Sequence, residues 1–291
     1  MTSLRSSSPP VTPVDELESL ARRARRLILQ SVHTAGAGHI GGPLSVADIL
    51  VSLYFNELNI DPANPADPER DRFILSKGHS SIALYTVLAL RGYFPVDELA
   101  TFDAIDSRLQ GHPDVTKLPG LDMSTGSLGQ GLSPGLGMAL GARLRGSDFH
   151  TWVVLGDGEI QEGQIWEAAF VAARYRLANL TAILDSNGLP QFGWPIDTGY
   201  TRERPIDDPA GKFRAFGWNV VECDGHDMAS LLDAYAAAKA HTEGPTCIVA
   251  HTVKGKGVSF MEGDFKWHAQ VPTPDELERA FAELADPEVS I

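Results

Sequence analysis

The sequence predicts an α/β domain in three layers, with a mainly parallel sheet and helices on both faces. Two observations lead there. Short apolar runs, namely Phe73-Ile74-Leu75, Trp152-Val153-Val154-Leu155, Leu180–Leu184, Asn219–Cys223 and Thr246–Ala250, read as strands buried on both sides. Between them the segments 79–91, 162–176 and 227–241 have the length and apolar period of helices. Strands alternating with helices need crossover connections, which make neighbouring strands parallel and cover both sheet faces.

Taken in order, residues 1–13 are polar and proline-rich, and they read as a disordered leader to a single domain over 14–291. Thr12-Pro13-Val14-Asp15 has the form of a helix start, and Leu17, Leu20, Ala24, Leu27 and Ile28 then share one helical face. Ser45-Val46-Ala47-Asp48 has the form of a capping box opening a second helix through Ile49, Leu50, Leu53 and Tyr54. The glycine-rich stretch from Gly126 to Gly137 is no dinucleotide fingerprint, because Pro134 occupies the third glycine position after Gly129 and Gly131. It reads as a helix start with small residues that allow close packing.

With 24 basic and 38 acidic residues the net charge is −14, so no basic field exists to hold nucleic acid or an anionic membrane. Cys223 and Cys247 are too few for a disulfide framework or a cysteine-rich zinc site. No stretch has the length of a membrane-spanning helix and no apolar signal core opens the chain, so the expected location is the cytoplasm.

The informative segment runs from Val153 to Gly163, where a strand ends in Gly156-Asp157-Gly158 and a helix follows. Ligands of parallel sheets collect beyond the carboxyl ends of strands, where the turn into a helix exposes free amides. Asp157 is a hard oxygen donor suited to Mg²⁺ or Ca²⁺. Thirty residues later a second strand ends in Asp185-Ser186-Asn187-Gly188-Leu189, and Asn187 offers an amide oxygen at the same sheet edge. A magnesium ion bridging a diphosphate fits such a set, because it takes few protein ligands and keeps phosphate oxygens and water.

This pair of strand ends resembles the thiamine-diphosphate motif of the transketolase family. The resemblance extends from His33 to about Pro272 through Gly38-His39-Ile40-Gly41-Gly42, Ser76-Lys77-Gly78-His79, Gly111-His112-Pro113-Asp114 and Ser124 to Gly131. It closes on His251-Thr252-Val253-Lys254-Gly255-Lys256-Gly257 and Trp267-His268. It implies the thiamine-diphosphate-binding fold, with Asp157, Asn187 and the main-chain oxygen of Leu189 on the metal. It further implies that Gly126, Ser127, Leu128, Gly156, Gly158, Glu162, His79 and His268 lie against the cofactor. His39, His79, His112 and His268 stand in glycine-flanked loops, and the resemblance makes them the catalytic, sugar-facing histidines. Such a site needs groups that donate, accept and shuttle protons near neutral pH. Where many members have Ser-Gly-His-Pro-Gly this chain has Ala37-Gly38-His39-Ile40-Gly41, which leaves the sugar preference open. His33, His150, His226, His241 and His251 are read as structural or surface residues.

In this family a glutamate from a second domain activates the cofactor's aminopyrimidine ring. No second α/β domain follows Val271-Pro272-Thr273-Pro274 in this sequence. The expectation is therefore a two-chain transketolase, carrying a two-carbon ketol unit from a ketose (phosphate) to an aldose (phosphate). Its partner would be a C-terminal subunit with the pyrimidine-binding domain, in a heterotetramer with two copies of each chain. Glu162 and Glu167 would face the partner, and Ile165 with Trp166 would form an apolar docking patch. Three alternatives stand beside it: one chain of a 2-oxo-acid dehydrogenase, a specialised sugar transketolase, and a catalytically silent homologue. The first leaves the histidine-rich loops without a purpose, and intact Asp157 and Asn187 argue against the last.

Overall fold

The structure is a computed structural model, and it describes residues 12–189, 194–196, 199–201 and 206–285. Residues 1–11 of the predicted 1–13 leader and the last residues of the predicted domain lie outside these ranges. Thr12 is anchored: its N–H donates to Asn56 Oδ1 at 2.6 Å and its hydroxyl to the Phe55 carbonyl at 3.1 Å. Helix α1 (Val14–Ala35) starts directly after Pro13, with Asp15 and Glu16 in its first turn.

All five predicted strands are present: β1 (Arg72–Leu75), β2 (Thr151–Gly156), β3 (Leu180–Ser186), β6 (Asn219–Asp224) and β7 (Thr246–His251), but β6, at the sheet edge, is only partly buried rather than buried on both sides. They form one parallel sheet in the order β1-β2-β3-β7-β6. The short strands β4 (Trp194–Ile196) and β5 (Gly199–Thr201) form a separate antiparallel pair. Alternate residues of the main sheet feed two cores, as a sheet covered on both faces requires. Trp152, Val154, Ile183, Ile248 and Ala250 face one core, shared with α1, α2 (Gly41–Ser52), α3 (Ser81–Arg91), α7 (Met228–Ala240) and α8 (Pro274–Glu283). Val153, Leu155, Ala182, Leu184 and Val249 face the other, under α4 (Leu132–Arg145), α5 (Gly163–Arg174) and α6 (Pro209–Ala215).

Two local expectations are corrected. Ser45 caps no helix, because α2 already begins at Gly41 and is buried along its whole length. Packing rather than a cap carries that helix, and the Ser45 hydroxyl instead donates to Asp185 Oδ2 at 2.6 Å. A true capping box opens α8, where Thr273 Oγ1 accepts from the Glu276 N–H and Glu276 Oε2 accepts from the Thr273 N–H. Nor do Ile165 and Trp166 form an exposed patch. Ile165 is wholly buried, and Trp166 stacks on Phe213 and Phe216 and donates its indole N–H to the Ile160 carbonyl. Among the described residues, exposed apolar groups on α4 and α5 include Leu144, at 80%, and Phe170, at 61%. Among the described residues no helix is long and apolar enough to cross a membrane.

Candidate active site

The carboxyl ends of β1, β2, β3 and β7 open into one cleft of about 640 Å³. Strand order brings them together: β2 and β3 are neighbours with Gly156 beside Asp185, and β3 runs beside β7 with Ser186 against His251. The walls include His39, His79, His112, Gly126, Leu128, Gly156, Asp157, Gly158, Glu162, Asn187, Leu189 and His268 from the sequence-based set. Ser127 is exposed and does not line the cleft.

Asp157 follows the last residue of β2. Its two carboxylate oxygens accept from the main-chain N–H groups of Gly158 and Gly188, which fixes its orientation. Burial, then the nearby Asp185 charge, push its carboxyl above the ordinary range. Asn187 Oδ1 accepts from the Leu189 N–H at 3.1 Å, and the Leu189 carbonyl accepts from Lys254 Nζ at 2.9 Å. A carboxylate, an amide oxygen and a peptide oxygen thus line one cleft at neighbouring strand ends. This hard-oxygen set suits a magnesium-type ion whose remaining ligands come from phosphate and water. Among the described residues no group of three or more histidine, cysteine and carboxylate side chains gathers as an all-protein metal cluster.

Under this floor lies a buried ion pair. Asp185, fully buried, accepts from Lys77 Nζ and from the hydroxyls of Ser45 and Thr252. Burial is the largest influence and pushes its carboxyl up, but the Lys77 charge and these hydrogen bonds together bring it below the ordinary range. A third acid, Glu159, is also buried. It accepts from Ser76 Oγ and from the N–H groups of Gly129 and Gly156, tying the ends of β1 and β2 to the Gly126–Gly131 loop. That loop approaches closely at Gly78, where a Cβ would sit 2.6 Å from the Gly126 nitrogen.

The histidines cluster opposite. The ring centroids of His39, His79 and His268 lie 5.0, 5.1 and 5.4 Å apart pairwise. Burial, reinforced by the charge of Lys77, pushes His79 down to about 2, and burial with Lys254 pushes His268 down to about 3. His39 is lowered by burial, then by His112 and Lys254. Near pH 7 these three rings are neutral with one donor and one acceptor nitrogen each, as recognition of a polyhydroxylated ligand needs, although the acceptor Nδ1 of His268 is taken by Lys254. His112 is exposed at the rim beside Gly126.

Sequence reasoning assigned no role to Lys77, Lys254, Asp185 or Glu159. Lys254 is only 3% exposed, and it bridges Leu189 to His268 Nδ1 at 2.7 Å. Burial lowers its ammonium to about 8. A signal for the lysines was present, since Lys77 and Lys254 each follow the end of a buried strand, where parallel-sheet ligands collect.

The family described as transketolase, thiamine diphosphate binding domain, matches residues 17–284. A 6-deoxy-6-sulfo-D-fructose transketolase subunit, SqwG, from Clostridium sp. (strain MSTE9) is 43% identical over 270 residues, covering 92% of this chain and 96% of its own length. One of the subunits of apulose-4-phosphate transketolase from Actinobacillus succinogenes is 43% identical over 274 residues, covering 94% and 97%. The crystal structure of transketolase from Campylobacter jejuni superposes with a TM-score of 0.86 at 31% identity, over 96% of this chain and 44% of that one.

Proposed function

Because the chain belongs to the transketolase family through its thiamine-diphosphate-binding domain, we propose that it is the diphosphate-side subunit of a two-chain transketolase moving a two-carbon ketol unit between sugar phosphates. One observation carries this reading. The chain spans 96–97% of relatives named as transketolase subunits, but only 44% of the Campylobacter transketolase chain. The rest of the machinery, with the glutamate that activates the pyrimidine ring, would come from a C-terminal partner subunit in an assembly of two copies of each. The proposed location is the cytoplasm.

When bound, thiamine diphosphate supplies the electron sink for breaking and making the carbon–carbon bond. Asp157, Asn187 and the Leu189 carbonyl would hold Mg²⁺ or Ca²⁺ on its diphosphate. Gly126, Leu128, Gly156 and Gly158 would bring main chain against the cofactor, with Ser127 beside them on the same loop. Lys77 and Lys254 add cationic charge that matches a diphosphate. His39, His79, His112 and His268 would hold the sugar hydroxyls and move their protons, and Glu162 at the rim would face the partner. The names of the relatives direct attention to specialised sugars, 6-deoxy-6-sulfo-D-fructose and apulose 4-phosphate, rather than to one general pentose substrate.

The test is reconstitution. This chain alone, with thiamine diphosphate, Mg²⁺ and a ketose–aldose panel, should give no turnover. Adding the partner subunit should restore it, with the panel identifying the sugars. Substantial turnover by the single chain would overturn the two-chain reading.

A further inference from the structure

His226 lies in Asp224-Gly225-His226-Asp227, between β6 and α7, and read from sequence it is an ordinary structural histidine. In the fold it joins elements far apart in the chain. Its Nδ1 lies 2.7 Å from Asp48 Oδ2 on α2, and its Nε2 accepts from the main-chain N–H of Val253 at 2.8 Å. A peptide N–H can donate only to a bare ring nitrogen, so Nδ1 carries the hydrogen and donates to Asp48. Asp48, 4% exposed, is gripped by both terminal nitrogens of Arg25 on α1. The chain of contacts therefore runs Arg25–Asp48–His226–Val253, and Val253 immediately precedes Lys254.

The segment carrying Lys254 is held at several points, among them Thr252, Val253 and Gly255, and the Lys254 carbonyl itself accepts from the Gly263 N–H at 3.0 Å. The Thr252 hydroxyl donates to Asp185, and its N–H donates to the Ser186 carbonyl. The Val253 N–H is held by His226, and the Gly255 N–H donates to the Gly41 carbonyl at 3.0 Å. Lys254 then reaches the cleft, contacting Leu189 and His268. Among these, the hold at Val253 comes from a side chain that belongs neither to the cleft wall nor to the Lys77–Asp185 pair beneath it.

We propose that His226 is a positioning residue for the cofactor site: oriented by Asp48 and Arg25, it fixes the Val253 peptide and so aims Lys254 at the diphosphate end of the cleft. The proposal rests on the reading that this cleft holds thiamine diphosphate. Outer contacts that orient residues at a metal centre change its affinity by about ten- to a hundredfold when removed, and the same scale is expected here.

Two substitutions separate positioning from mere packing. His226→Asn keeps a donor near the place of Nδ1 but has no atom at the reach of Nε2. His226→Gln puts an amide oxygen at that reach and can accept from Val253. In the full-length chain, hydrogen exchange at the Val253 amide should rise about tenfold or more in H226N and return toward wild type in H226Q. In the complex with the partner subunit, the dissociation constant for thiamine diphosphate in Mg²⁺ should rise about tenfold in H226N and recover in H226Q. At saturating cofactor kcat should stay within about twofold of wild type. Equal losses of thermal stability in both variants with unchanged cofactor affinity would overturn the proposal, because His226 would then only pack. If the wild-type complex takes up no cofactor, the functional reading fails, while the Val253 exchange comparison still decides whether His226 fixes that peptide.

Discussion

At the scale of the residue, environment decides what each ionisable group can do. Asp157 and Asp185 are both aspartates at the carboxyl ends of adjacent strands, yet burial and a neighbouring carboxylate raise the first while Lys77 and hydroxyl donors lower the second. Asp185 is committed to an internal ion pair, and Asp157 is left to face the cleft. Asp157→Ala should therefore abolish measurable thiamine-diphosphate and Mg²⁺ binding in the complex and leave the fold intact, as judged by titration calorimetry beside circular dichroism. Unchanged affinity would remove Asp157 from the metal site. His112 sits at the rim with an exposed side chain, and its main-chain carbonyl accepts from the Tyr85 hydroxyl. His112→Ala should lower kcat/KM on the order of tenfold to a thousandfold with cofactor affinity little changed. Wild-type kinetics in that variant would exclude His112 from the sugar site.

At the scale of the element, contacts between helices and sheet settle which positions accept change. Gly135 of α4 lies directly over the sheet, and a Cβ there would come 2.5 Å from Val153 Cγ2. Gly137, two residues on, would have nothing within 4 Å of its own Cβ. Gly135→Ala should destabilise by about 1–3 kcal/mol through overpacking. Gly137→Ala should stabilise by roughly 0.5–1 kcal/mol, because alanine restricts the unfolded chain more and favours helix. Denaturant midpoints of the two variants check this, and equal effects would mean that α4 is not seated as described. Helical period predicts neither outcome, since both glycines belong to the same apolar, glycine-rich run.

At the scale of the molecule, histidines held neutral in the interior couple stability to pH. His150 is half-buried with Nε2 against Thr181 Oγ1, and loss of solvent around the ring brings it down to about 3 from the ordinary 6.5. A base with a lowered folded pKa leaves stability intact above the unfolded value, so the loss begins near pH 6.5 and continues toward pH 3 as the unfolded chain takes up a proton the fold refuses. His79 and His268 act in the same direction. Asp48 and Asp185, held below the carboxylate range, add to the loss at lower pH, whereas the raised carboxyls of Asp157 and Glu159 oppose it. His150→Gln should flatten the dependence of unfolding free energy on pH between 6.5 and 3 by about one proton, measured by denaturant titration across that range. An unaltered slope would show that His150 is not held neutral.

By itself the sequence determined the strands, the helices between them and the two strand ends bearing Asp157 and Asn187. Each of these depends on neighbours within a few residues: apolar runs bury, alternation with helices enforces parallel pairing, and glycines beside Asp157 open the turn. The family resemblance extended that reading to the four histidines, whose loops are likewise local. Only the tertiary structure joined Lys77 to Asp185, 108 residues away, Ser45 to Asp185 across 140, and His226 to Asp48 across 178. It also turned Ser45 from a cap into a donor to a buried carboxylate, and drew Ile165 and Trp166 into the core while Phe170 faced outward. The physical reason is strand order: β1-β2-β3-β7-β6 places β7 beside β3 although β6 precedes it in the chain. Which side chains then share a cleft follows from that spatial order, which no local pattern of residues encodes.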